Sequence, residues 1–153
     1  MTNELSDTQM LLKEGVGKHL VFSVKASVEH IWMSQETLST FFDVSRSAII
    51  QGLKPILDTL ENKDTCLRRV SYVKEQLNRA QSVQETQYSF EIVCHLSLVL
   101  TSDTAIAFRL WMVQTHQRFV QTGFVCDRDR VLSGDKRKKL WERAVKRIAV
   151  PKH

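Results

Sequence analysis

Arg46 and Gln51 are residue types that read base edges: Arg pairs with guanine and Gln with adenine through two hydrogen bonds each. They lie in the stretch SQETLSTFFDVSRSAIIQGL, residues 34–53. Ser45 and Ser47, next to Arg46, suit phosphate or base contacts. The chemistry this stretch could perform is recognition of duplex DNA. Arg46, Ser47, Ile50 and Gln51 would meet base edges, and Ser45 and Lys54 would meet phosphates.

Such a reading requires two helices held at a fixed crossing. Leu38, Phe41 and Phe42 recur at helical spacing, and Ser34 is a suitable N-cap for them. Asp43 and Val44 interrupt the pattern. Ser45 caps a second helix with Ala48, Ile49 and Leu53 on one face. In a helix-turn-helix of this kind Ser39 is the small residue at the crossing and Val44 plugs the gap. Ile49 and Leu53 form the inner face, and Gly52 permits close approach. Asp43 takes the turn position where Gly is usual, and Asp tolerates a left-handed backbone better than most residues. Pro55 predicts an end or kink in the second helix at Lys54, with Pro55–Leu60 as a separate piece. The plain alternative is a helical hairpin with Arg46 and Gln51 merely solvated.

Around this pair the chain divides into four segments. Residues 1–17 read as a flexible arm with a short helical piece around Met10–Lys13. Residues 18–88 read as a winged helix-turn-helix-like module. His19–Val24 and His30–Met33 fit strands. Arg68–Gln76 and Val83–Phe90 form a hairpin across the polar run 77–82, and Lys74 is a further phosphate contact. A helix over Tyr72–Ala80 competes with the hairpin, because Lys74, Glu75, Gln76 and Leu77 are good helix formers. Residues 89–134 read as a helical module with helices capped by Ser89 and Ser102, the second ending at Gly123. The fold class is therefore α+β. The helix over 103–122 is apolar on so much of its surface that it must be buried or shared with a partner subunit. Phe108, Trp111, Met112 and Phe119 are its candidate interface residues, and the expected partner is a second copy.

Residues 135–153 form a basic helix or tail. The net charge of the 153-residue chain is +5, and it is uneven. Residues 1–60 carry 5 Lys/Arg against 7 Asp/Glu, whereas residues 123–153 carry 10 against 4. Asymmetry of this kind suits a polyanion. Lys136, Arg137 and Lys139 would clamp the phosphate backbone. In a second reading Leu140, Trp141 and Ile148 make the segment a partner or dimerisation helix. In a third it is a solvated tail.

Other chemistry finds little footing. Apolar residues make up 42% and charged residues 25%, as in ordinary globular proteins. Cys66, Cys94 and Cys126 are widely spaced, with no C-x-x-C pair for zinc. Cys94 and His95 are neighbours and point to different helix faces. Glu85 and Glu91 make no convincing acid–base pair. There is no phosphate-loop, dinucleotide or metalloprotease motif. No enzyme, metal or cofactor is expected. The first residues, MTNELSDTQMLLKEG, do not read as a secretory signal, and no apolar run reaches the length of a membrane span. A cytoplasmic location is expected.

The stretch IWMSQETLSTFFDVSRSAI resembles the N-terminal segment of the RhuM family of bacterial virulence-associated proteins. Trp32, Ser34, Gln35, Phe42, Val44, Arg46 and Ser47 stand at the places of that family's pattern. The block YSFEIVCHLSLVLTSDTAIAFRLWMVQTHQRFVQTGFVCDRDRVLSG is similar to the family's second pattern. Tyr88, Ser102, Phe108, Arg109, Trp111, Gly123, Phe124 and Asp127 match there. Both blocks keep order and spacing over roughly residues 19–134. Asp43 departs from the family's Gly, and His95-Leu96-Ser97 replaces its Ser-Val-Gly-Tyr stretch. The resemblance implies a DNA-binding-like N-terminal module, strands between the blocks, a helical module behind, and a mobile-element or virulence setting. It implies no established activity.

The expectation is a sequence-specific DNA-binding regulator with helix 45–54 as the recognition helix. The alternative is a protein-interaction module, such as an antirepressor or accessory factor, whose helix-turn-helix is vestigial. Glu36 and Asp43 near the exposed face, and a net negative N-terminal half, count for the alternative.

Overall fold

The computed structural model describes residues 11–15, 20–24 and 30–127, with Lys139, Glu142 and Arg143 beyond them. Strand β1 (Leu11–Glu14) pairs antiparallel with β2 (Val21–Val24), Leu11 opposite Val24 and Glu14 opposite Val21. β1 replaces the helical piece expected within a flexible arm. The reason is burial: Leu11 is 0% exposed and Phe22 of β2 is 4% exposed, so pairing places both in the core. Val21 and Ser23 on either side of Phe22 are exposed, the alternation of a half-buried strand.

β3 (Trp32–Ser34) leads directly into helix α1 (Gln35–Phe42). The Ser34 hydroxyl caps α1 by accepting from the Thr37 amide at 3.1 Å. Leu38, Phe41 and Phe42 are buried, as their spacing requires. After a short turn comes α2 (Arg46–Thr59), capped by Ser45, whose Oγ accepts from the Ala48 amide at 3.1 Å. α2 does not end at Lys54 but runs through Pro55. Pro55 cannot donate to the Gln51 carbonyl. Ile49, Leu53 and Ile56 are nevertheless buried along one continuous stripe that spans the proline. Burying three such side chains stabilises by several kcal/mol, about 1.5–3 each, and outweighs the proline penalty of about 3.

The short α3 (Lys63–Cys66) precedes β4 (Leu67–Gln76) and β5 (Arg79–Ser89). These strands form a long hairpin that turns at Leu77-Asn78, with Gln76 opposite Arg79. The polar run expected to be a loop is strand from Arg79 onward, and the competing helix does not form. Both turn residues have positive φ, 50° and 62°, the geometry of the tight hairpin turn whose twist matches its strands. β3 joins the other edge, giving the order β3-β5-β4.

Helices α4 (Phe90–Val99) and α5 (Asp103–Thr122) complete the fold. The Ser102 side chain caps α5, and Gly123 ends it at φ 79°. Phe108, expected at a subunit interface, is instead fully buried. Its ring lies 5.2 Å from those of Phe22 and Trp111 and about 6 Å from those of Phe41 and Phe42. An aromatic side chain among five others, Phe90 included, is core packing, not contact surface. Trp111 and Met112 are half-buried against the same cluster. Phe119 is exposed. Trp141, Lys136 and Arg137 lie outside the described residues.

Candidate nucleic-acid interface

The crossing of α1 and α2 is fixed at three places. The Ser39 hydroxyl donates to the Val44 carbonyl at 2.6 Å, and the Val44 amide donates to the Ser39 carbonyl at 3.2 Å. Asp43, between them, is left-handed at φ 54°, ψ 45°. Its carboxylate accepts from Lys13 Nζ and from Thr104 Oγ1, both at 2.7 Å. These two donors hold its carboxyl below the ordinary carboxylate range, the Lys13 hydrogen bond contributing most. Lys13 also donates to the Phe41 carbonyl at 2.6 Å. The turn is therefore tied at once to β1, α1 and the start of α5.

Gly52 does permit close approach, but toward α4 instead of α1. A Cβ there would stand 3.1 Å from Leu96 Cδ2 and 3.4 Å from Val99 Cγ2. α4 thus packs on the inner side of α2 and turns the outer side to solvent.

That outer side carries the residues singled out in the sequence. Ser45, Arg46, Ser47, Ile50, Gln51 and Lys54 are all exposed, opposite the buried Ile49 and Leu53. Arg46 Nε donates to Gln35 Oε1 at 3.3 Å, and Gln35 Nε2 donates to the hydroxyl of the buried Tyr88 at 3.1 Å. Gln35 is the residue that the sequence reading of contacts missed. It steadies Arg46 from α1. Ile50, Gln51, Lys54, Leu57, Gln35 and Tyr88 border an open cleft of about 400 Å³ between α2 and the sheet.

The hairpin divides its cations between two faces. Leu67 pairs with Tyr88 and Arg69 with Thr86, so by strand alternation Arg69 lies on the face of Tyr88. Lys74 shares the other face with Tyr72 and Arg68. On that face Arg68 lies over the Trp32 ring at 4.6 Å and donates to Gln87 at 2.8 Å. Gln87 donates to Glu85, which also accepts from the Tyr72 hydroxyl. Burial and the neighbouring Glu85 push the Tyr72 phenol up. Lys74 thus lies on the face away from Tyr88, and Arg69 on the face it shares with Tyr88. Lys139 is exposed, as are Glu142 and Arg143.

Cys94 is not primed as a nucleophile. Burial, then the nearby Glu91, push the Cys94 thiol up to about 11, which disfavours the reactive thiolate. Cys66 donates to Glu91 at 3.3 Å, and His95 lies 3.9 Å from the same carboxylate. Arg109 reaches the Leu100 carbonyl at 3.5 Å. Among the described residues no group of three or more His, Cys, Asp or Glu could hold a metal ion. Among them, too, no single helix is long and apolar enough to cross a membrane. Comparisons with protein-family models, with curated proteins and with solved structures found no match.

Proposed function

We propose that this chain binds duplex DNA sequence-specifically, with α2 as recognition helix and no catalysis, as a cytoplasmic regulator. The observation that carries the reading is the split of α2. Its inner stripe is buried against α1 and α4, and Ser45, Arg46, Ser47, Ile50 and Gln51 stand exposed at its N-terminal end. That end of a recognition helix is where base edges are met. Gln51 and Arg46 would read bases, with Arg46 pre-positioned by Gln35. Ser45, Lys54, Arg69 and the basic C-terminal segment would meet phosphates.

The order β3-β5-β4 supports a winged form of this module. The strand that enters α1 pairs with the return strand of the hairpin that follows α2, the connectivity a wing would have. The resemblance to the RhuM family supports the same reading and adds the mobile-element or virulence setting.

The test is binding of purified protein to random-sequence duplexes across a salt series, followed by selection of preferred sites. A steep salt dependence and a recovered consensus are expected. Replacing both Arg46 and Gln51 by Ala should erase the consensus and leave the fold intact. An unchanged consensus would refute the assignment of α2.

One observation favours a second reading, a protein-interaction module. The exposed face of α2 carries only Arg46 and Lys54 as cations, while Ile50 is half exposed and Asp58 borders the cleft. Absence of DNA binding at low salt would select it.

A further inference from the structure

α5 has two faces of different character. Thr104, Ala105, Ala107 and Phe108 are buried in the core. The opposite face carries Ile106, Leu110, Val113, Gln117 and Val120. They follow one another in alternate steps of four and three, the average 3.5-residue spacing of a coiled-coil seam. The apolar ones are well exposed: Ile106 43%, Leu110 56%, Val113 53% and Val120 70%. We propose that this stripe pairs in parallel with α5 of a second copy of the chain.

Charge and polarity select a second copy. Parallel pairing sets each seam residue against its own counterpart. The Gln117 amide then meets an amide that can donate and accept, so burial leaves it satisfied. A single polar seam residue is a known device for fixing register. Arg109 and His116 flank the seam and fall opposite Gln114 and Gln121 of the partner, so no cation faces a cation. A basic occupant fits worse, because Asp103 is the only carboxylate on α5. The chain's own residues 135–150 are strongly basic and meet no counter-charge there.

The seam is short. Ile106 to Val120 spans about 21 Å at the helical rise, less than a standard interface of roughly 800 Å² per partner needs. The pair is therefore reversible and concentration-dependent. It does not require DNA binding and can be tested without it.

The experiment is sedimentation velocity of the full chain over a concentration series. A monomer–dimer equilibrium is expected. Leu110→Glu and Val120→Lys, both at exposed positions, should weaken it at least tenfold with unchanged circular dichroism. Gln117→Leu should tighten it, a shift that simple damage to the fold would not produce. A protein monomeric at every concentration overturns the pairing and leaves the stripe to residues 135–150 or to another protein. A dimer indifferent to all three substitutions overturns it equally.

Discussion

Lys13 Nζ stands 2.7 Å from Asp43 Oδ2, joining a strand near the N-terminus to the turn between α1 and α2. The second donor on that oxygen, Thr104, comes from the first turn of α5. One carboxylate in a left-handed turn thus sets the position of α2 relative to the rest of the molecule.

Asp43→Ala should therefore destabilise by about 2 kcal/mol. Ala tolerates left-handed backbone less well than Asp, by part of the roughly 1–2 kcal/mol that this backbone costs, and both donors lose their acceptor. Asp43 is largely exposed, so the ion pair itself contributes no more than about 1 kcal/mol. Asp43→Gly should lose less than Asp43→Ala, because Gly adopts the turn freely. Urea denaturation of the three proteins checks the order.

The same residue gives a pH dependence. Its folded carboxyl titrates below the unfolded one. Its contribution is therefore fully present above the unfolded value near 4 and is lost as pH falls through the folded value. The stability gap between the native protein and Asp43→Asn should be constant at neutral pH and close in acid. A gap that stays open in acid contradicts the assignment.

Gly52 gives a packing test. The nearest atom to an added Cβ is Leu96 Cδ2, at 3.1 Å, on a fully buried side chain. Gly52→Ala gains helix propensity of about 1 kcal/mol, which the contact offsets, so the net change should be small. Gly52→Val adds two methyl groups with nowhere to go and should cost about 1–3 kcal/mol. Because α4 then pushes α2 outward, DNA affinity should fall with it. Thermal melts and binding titrations on the same preparations separate the two effects.

The sequence showed the helix pair well because its signals are local. Ser34, Ser45 and Ser102 cap the helices that spacing predicted, and Asp43 takes the left-handed turn. The hairpin was legible as alternation of Val70 and Tyr72 against Arg69 and Ser71. Its turn was not, since Leu77 carries no preference for positive φ. β1 was missed because a short strand is decided by its partner, and Leu11 gains burial only when Phe22 is beside it. Phe108 was misplaced for a related reason. Its helix is apolar on two sides, and periodicity does not say which side faces the core. The link from Arg46 through Gln35 was out of reach because it ends on Tyr88, distant in sequence.

Pro55 offers a stabilising substitution. It lies within α2 and is exposed. Pro55→Ala restores a donor for the Gln51 carbonyl. The gain is up to about 3 kcal/mol, reduced by about 0.4–1 for the freer unfolded chain. The melting temperature should rise by several degrees. A fall would mean that the proline shapes α2 in a way its buried stripe does not.

The cleft between α2 and the hairpin yields the sharpest test of how DNA would sit. Arg69 shares the face of Tyr88, while Lys74 is on the opposite face with Tyr72. If the duplex enters along α2, the hairpin's Tyr88 side meets its backbone. Arg69→Ala should then lower the slope of log affinity against log salt by about 1, the release of one phosphate contact. It should weaken all sequences alike, since a phosphate carries no base identity. Lys74→Ala should leave the slope nearly unchanged. Reversal of the two results would place DNA on the opposite face of the hairpin, against Arg68 and Trp32. It would then remove the cleft from the binding surface while leaving the readout by α2 to its own test.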